Sequence, residues 1–179
     1  MKLLAKITDK DIIGTEGLST RQPPREAVRI ILLDDNNSAA VLYVKKYNFY
    51  TLPGGGIDAD ENFIQAVVRE SLEETGCDCE IVCELGEVHE NSLKYNHTEI
   101  SYGFLCKLKG EKGIPNYTPE EVDEGTTVQW HKLDKALELI SNQHFEPDSY
   151  EKYGMRLIME RDIILVNERL KAIKNRLVK

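Results

Sequence analysis

Residues 54–77 read GGGIDADENFIQAVVRESLEETGC, and the fold of the chain turns on this stretch. Gly54-Gly55-Gly56, directly after Pro53, is too permissive for a helix or a strand. Asp58-Ala59-Asp60-Glu61 has the form of a capping box, which predicts a helix running to Thr75 with Gly76 as its left-handed stop. At about 100° per residue, Glu70, Glu73 and Glu74 fall on one arc of that helix. Like charges at i,i+3 and i,i+4 each destabilise a helix by about 0.2–0.5 kcal/mol, so three together call for a cation between them. Arg69, four residues before Glu73, offsets only part of the repulsion. The acidic arc borders Phe63 and Val67, while Asn62, Gln65 and Arg69 read as the solvated side. Partly sheltered acids facing a glycine loop make a hard-oxygen site, suited to Mg2+ or Mn2+ rather than zinc. Helix composition alone favours a solvated acidic helix end.

Upstream, Ala27–Leu33 (AVRIILL) reads as a strand, Asp34-Asp35-Asn36-Asn37 as a turn and Ala39–Val44 as the returning strand. Residues 1–25 read as irregular with one early strand, closing on Gln22-Pro23-Pro24, which keeps the chain extended. Downstream, Cys77–His89 and Glu99–Leu108 are predicted strands of a meander, Gly110–Gly125 a loop, Thr126–His131 a further strand and Lys132–Ile140 a short helix. A period of two sets Cys77, Cys79 and Cys83 on one strand face as small buried hydrophobes; with no C-x-x-C and no His pair at ligand spacing, zinc is not expected. From Asp148 onward the chain reads as helix, with Met159, Ile163, Val166, Leu170, Ile173 and Leu177 as one apolar stripe. That stripe is expected to pack back on the domain; subunit pairing into a homodimer is the alternative.

The chain has 179 residues, 23 Lys and Arg against 31 Asp and Glu, a formal charge of -8, 41% hydrophobic and 30% charged residues. That length fits one domain with an appendage, and the apolar share excludes a wholly disordered chain. No apolar run approaches the roughly 18 residues of a membrane span, and Met1–Asp11 does not read as a signal peptide. Reduced thiols and a cytoplasmic location are therefore expected. The acidic balance argues against an extended nucleic-acid surface. It leaves room for a small phosphorylated ligand, because a bound divalent metal inverts the local charge.

Gly55, then Glu61, then Arg69-Glu70-Ser71-Leu72-Glu73-Glu74-Thr75-Gly76-Cys77 resembles the Nudix box, G-x5-E-x7-R-E-U-x-E-E-x-G-U with U aliphatic. Every fixed position is matched, and Pro53-Gly54-Gly55 resembles the usual approach to it. The departures are Ser71 and Cys77 at the aliphatic positions; Ser71 is expected to soften packing without removing a ligand. The resemblance implies a Nudix-type α/β/α sandwich with a mixed sheet, plus the C-terminal amphipathic helix. It divides the chain into an N-terminal extension (1–25), a Nudix hydrolase domain (26–145) and a helical tail (146–179).

For function, the resemblance to MutT-like Nudix enzymes implies metal-dependent hydrolysis of the pyrophosphate bond in a nucleoside diphosphate linked to another moiety. By position, Glu70 and Glu74 are the first metal ligands, Glu73 a further ligand or base, and the Gly55 carbonyl another donor. Arg69 orients the glutamates, Glu61 supports the site and Gly76 ends the helix. Mg2+ is the expected ion, with Mn2+ as the substitute. The base varies among Nudix branches; Glu124, then Glu121, are the candidates from the acids before Trp130. Lys45 and Lys46 are candidates for a distal phosphate, and Phe49 and Tyr50 for stacking on a base. Trp130 reads as packing, and the four histidines show no pairing that demands catalysis. The substrate that the resemblance implies is a small nucleotide. The proline expected of ADP-ribose-type enzymes is absent, and Tyr95 is a weak sign of dinucleoside-polyphosphate hydrolases, so a nucleoside triphosphate is the default. The alternative is a Nudix-fold module that senses a nucleotide without cutting it.

Overall fold

The computed structural model describes residues 1–15 and 23–177. Its central strand, β2 (Arg25–Leu33), is buried from Ala27 to Leu33, as an apolar run covered on both faces must be. Around it lie β1 (Leu3–Thr8), α1 (Asp9–Ile13), β3 (Ser38–Val44), β4 (Phe49–Thr51), α2 (Phe63–Thr75), β5 (Asp78–Ser92), β6 (His97–Lys109), α3 (Pro119–Glu124), β7 (Thr126–Lys132), α4 (Leu133–Ser141) and α5 (Tyr150–Leu177). The strands form one mixed seven-stranded sheet in the order β1-β5-β6-β2-β3-β4, with β7 paired to β3. β1 runs parallel to β5 and β2 parallel to β6; the other pairs are antiparallel.

Alternation along β2 divides the core. Val28, Ile30 and Leu32 face α2, packing with Ala66, Val67, Cys77, Cys79, Phe104 and Cys106. Ile31 and Leu33 face the opposite layer, where α4 and α5 bring Ala136, Ile140, Leu157, Leu165 and Val166. This is the expected α/β/α sandwich. Met159 and Val166 of the C-terminal stripe are buried in the second layer, with Ile163, Leu170 and Ile173 packed against it; the Leu177 side chain lies outside the described residues. The early strand exists and joins the sheet edge as β1. No helix among the described residues is long and apolar enough to cross a membrane.

β2 meets β3 only at Leu33↔Ala39, which leaves the first half of that edge open. The glycine loop fills it. Val28 N donates to Gly55 O (2.9 Å), Ile30 N to Pro53 O (2.8 Å), and Ile57 N to Glu26 O (3.0 Å). At Gly54, with φ 136°, a Cβ would collide with the Val28 carbonyl, so glycine is required for this approach.

Several local expectations are corrected. The helix starts at Phe63 with Asn62 as its cap, because Asn62 Oδ1 accepts from Ile64 N (2.9 Å) and Gln65 N (3.1 Å) while Gln65 Oε1 accepts from Asn62 N (2.9 Å). Asp58 to Glu61 is a separate turn preceding it. The loop over 110–125 contains α3, capped by Thr118 with Pro119 in its first turn. Cys77 and Cys79 are buried but Cys83 is exposed, since irregularities between Ile81 and Cys83 and between Glu84 and Gly86 break the period of two.

Candidate functional site

Three acids of the box, Glu61, Glu70 and Glu73, gather around Arg69. Its guanidinium donates to Glu61 (2.6 and 3.1 Å), Glu70 (2.7 Å), Glu73 (3.0 Å) and the Gly56 carbonyl (2.8 Å). Arg69 therefore does not lie on a solvated face as expected; it turns back over the helix and knots the preceding turn to the acidic arc. Glu61 lies outside the helix and accepts from Asp58 N (2.9 Å), so the turn and the helix share one cation. Glu61 is held below the usual carboxylate range, chiefly by its bonds to Arg69.

Glu70 and Glu74, one turn apart, are both buried. Burial raises the pKa of Glu70 above the ordinary range, against the pull of Arg69. Glu74 is raised well above it, first by burial and then by the charge of Glu70. Glu74 Oε2 accepts the Gly54 N–H, and the Glu70 carboxylate occupies the space where a Cβ on Gly55 would sit. Two sheltered carboxylates that repel each other, set against a glycine loop, are a donor pair that fits a hard divalent cation. Among the described residues, however, no three Asp, Glu, His or Cys side chains are gathered into a metal cluster. Glu73 is half exposed and turned to Arg69, and the Gly55 carbonyl already accepts from Val28 N, with its second lone pair left for a ligand.

The two departures from the box are each satisfied. Ser71 is fully buried and its hydroxyl donates to the Cys77 carbonyl (2.8 Å), which ties off the helix end; Cys77 fills its aliphatic position in the core. Gly76 adopts φ 70°, and a Cβ there would meet the backbone of Gly113 and Ile114 at 2.6 Å.

A cavity of about 400 Å³ lies on the α5 side of the sheet. Arg25 and Arg29 connect it to the box. A Cβ on Gly56 would meet Arg25 Nη2 at 2.7 Å, and Arg29 is an electrostatic neighbour of both Glu70 and Glu74. Glu124 lines the cavity, paired with Lys46 at 3.5 Å; Glu121 is spent on capping Thr118, although its charge reaches Glu74. Lys46 also lies over the Tyr47 ring, whereas Lys45 is exposed beside Gly125. Tyr50 is not part of the lining: its ring stacks on Tyr43 and its backbone is tied to Gln143. Tyr47 and Phe49 line the cavity in its place. Trp130 packs against the α2 layer, with Lys112 Nζ 3.7 Å from its ring centroid.

Sequence reasoning missed the cavity floor. Arg29, Arg161, Glu90, Glu99 and Asp162 form a buried charge network: Arg29 with Glu99 at 2.9 Å, Arg161 with Asp162 at 2.9 Å, and Arg161 with both Glu90 and Glu99 at 3.6 Å. Arg25 closes on Glu99 from the rim. Arg25 and Arg29 at i,i+4 on a buried strand, and Arg161-Asp162 inside an apolar stripe, were the available signals.

A family model of the NUDIX domain matches residues 23–153. A curated relative from Caenorhabditis elegans that carries a nudix hydrolase name is 29% identical over 112 residues; the match takes in 60% of this chain but 28% of the relative's length. Among solved structures, an ADP-ribose pyrophosphatase from Streptococcus suis superposes with TM-score 0.51 at 20% identity, covering 81% of this chain and 91% of the other. A UDP-X diphosphatase gives 0.56 at 18% identity over 86% and 66%. A MutT NUDIX hydrolase from Burkholderia pseudomallei gives 0.53 at 19% over 78% and 98%. At these identities the structures share the fold.

Proposed function

The chain belongs to the Nudix family, and from that membership we propose that it is a pyrophosphohydrolase acting on a nucleoside diphosphate linked to another moiety. The carrying observation is the buried Glu70 and Glu74 pair, set against Gly54 and Gly55, with Arg69 clamping Glu70. The names of two fold neighbours, an ADP-ribose pyrophosphatase and a UDP-X diphosphatase, describe cleavage of that bond and support the reading.

Glu70 and Glu74 would hold Mg2+, or Mn2+ in its place, with Glu73 joining once released from Arg69. A divalent ion held there supplies charge screening and Lewis acidity at the scissile phosphate. The remaining work falls to the chain. Water attacks phosphorus, the P–O–P bridge breaks and the attacking water loses a proton. Glu124, at the cavity rim beside Lys46, is the proposed acceptor of that proton. Arg25, at the cavity rim against Gly56, and Lys46, beside Glu124, offer charge to the phosphates. Arg69 fixes the carboxylates, so its role is positioning. We also take residues 26–145 as the catalytic domain, with β1 and α5 completing its sheet edge and cavity.

The test is Glu74→Gln assayed with Mg2+ against a panel of nucleoside diphosphate derivatives, reading phosphate, pyrophosphate and nucleotide products. The parent should turn over at least one derivative, and the variant should lose at least about a hundredfold in kcat. A parent that binds nucleotide without cutting any of the panel would favour the sensing module instead.

A further inference from the structure

The cavity floor carries polar atoms that the fold leaves without a hydrogen bond. Glu90 Oε1 is buried and accepts no hydrogen bond; Arg161 Nη1 stands 3.6 Å away, an ion-pair distance, and His97 Nε2 is 3.9 Å from Glu90 Oε2. Arg29 Nε, in the same network, donates to nothing. Buried polar atoms are nearly always satisfied, so an orphaned acceptor lining a cavity points to a ligand that brings the donor. The walls are aromatic. Tyr95 makes edge contacts with Tyr150 at 5.2 Å and Tyr153 at 4.7 Å, while Tyr47 and Phe49 also line the space. Flat rings above a charged floor suit a planar ligand with a polar edge.

Gly154 is a separate sign. It lies within α5 and lines the cavity, where glycine weakens a helix relative to alanine. Neither packing nor backbone conformation requires it, since a Cβ there meets nothing within 4 Å and its φ is not positive. What a side chain at 154 would take away is free space in the cavity.

We propose that this cavity binds the nucleobase of the substrate, that Glu90 reads the base edge, and that the edge read is of the guanine type. The identity of the ligand as a nucleotide rests on the hydrolase reading above. The edge follows from the carboxylate: guanine offers two adjacent donors, the ring N–H and the exocyclic amine, to one acceptor group. Adenine and cytosine set an acceptor nitrogen beside their single amine, and uracil flanks its N–H with two carbonyls, so each would turn a lone pair toward Glu90. The volume of about 400 Å³ accommodates a base with its sugar, and Arg25 at the rim leads from there toward Gly56 and the box. Glu90 is thus a specificity-determining residue, remote from the bond that is cut.

The test is binding without chemistry: calorimetry or saturation-transfer NMR with GMP, AMP, CMP and UMP in EDTA, on the parent, Glu90→Gln and Gly154→Leu. The parent should bind GMP at least tenfold more tightly than AMP. Glu90→Gln should abolish that preference. Gly154→Leu, which replaces a poor helix former in open space and should melt no lower than the parent, should weaken every nucleotide at least tenfold. Equal binding of all four nucleotides by the parent, or GMP binding unchanged in both variants, would overturn the proposal. Hydrolysis is scored separately: GMP-selective binding by a parent that cuts nothing supports the base site while refuting the hydrolase.

Discussion

Replacing Arg161 with methionine removes the cation that joins α5 to the sheet. Its side chain is 2% exposed, and the acids it faces, Glu90, Glu99 and Asp162, are 2%, 4% and 0% exposed. Asp162 would keep the Thr51 hydroxyl (2.8 Å) and Leu52 N–H (2.9 Å), and Glu99 would keep Arg25 and Arg29. Glu90 would keep only His97 at 3.9 Å among the ion pairs. Breaking a buried pair by removing one partner destabilises by about 3–5 kcal/mol, because the other charge remains uncompensated. In a domain of this size that lowers the Tm by about 6–20 °C. The deficit should depend on pH. Burial pushes the Glu99 carboxyl up, but Arg29, Arg161 and Arg25 pull it down to about 2 from an ordinary 4.5. A carboxylate held below its unfolded value stabilises the fold above about pH 4.5, and that contribution is lost as the pH falls toward 2. Without Arg161 the Glu99 carboxyl loses one of the three cations that hold it down and titrates higher, so the variant should lose less on acidification and its deficit should narrow between pH 7 and pH 3. Thermal and urea melts across that range measure it, and Arg161→Met with Glu90→Gln should recover part of the loss. A fall in Tm below about 2 °C at pH 7, or a deficit constant with pH, would refute the reasoning and make α5 a loosely attached tail.

Two predictions concern the end of α2. Gly76→Ala places a Cβ at 2.6 Å from the Gly113 and Ile114 backbone in a left-handed conformation, and should cost about 1–3 kcal/mol, read as a lower urea midpoint; an unchanged midpoint would mean that the 113–114 backbone moves aside freely. Ser71→Ala removes the buried donor to the Cys77 carbonyl and should lower stability by about 1 kcal/mol; a more stable variant would show that the hydroxyl is a poor substitute for the aliphatic residue of the box.

What the sequence made legible was whatever local spacing controls. The run Ala27–Leu33, the turn at 34–37 and the stripe from Met159 to Ile173 all became the elements expected, because burial on a fixed period dictates them. Glu70, Glu73 and Glu74 lie on one helix for the same reason. Helix ends were less legible: Asp58 with Glu61 mimics a capping box, and Asn62 with Gln65 outcompetes it by satisfying three N–H groups at once. Arg69 departs from the helical wheel because its long side chain folds back across the helix to reach Glu61. The cavity was illegible in principle from spacing alone. Arg25 faces Glu99 only through the parallel register of β2 and β6, and Arg161 reaches Glu90 on β5 and Glu99 on β6 only after α5 packs across the sheet.

β2 sets the relation between the two ends of the site. Its backbone N–H groups at Val28 and Ile30 hold Gly55 and Pro53, and so fix the loop against which Glu70 and Glu74 lie. Its alternate side chains, Arg25 and Arg29, enter the cavity on the other face. A strand rises about 3.3 Å per residue and alternates faces at every step, so the distance from the box to the cavity floor is a property of this one strand. Shifting β2 by one residue against β6 would turn both arginines toward α2 and drive Val28 and Ile30 into the charge network. The pairs of Arg25 and Arg29 with the buried Glu99 oppose that shift, because it would leave the Glu99 carboxylate buried without either cation. The charges that shape the proposed base site therefore also hold the register that positions the box.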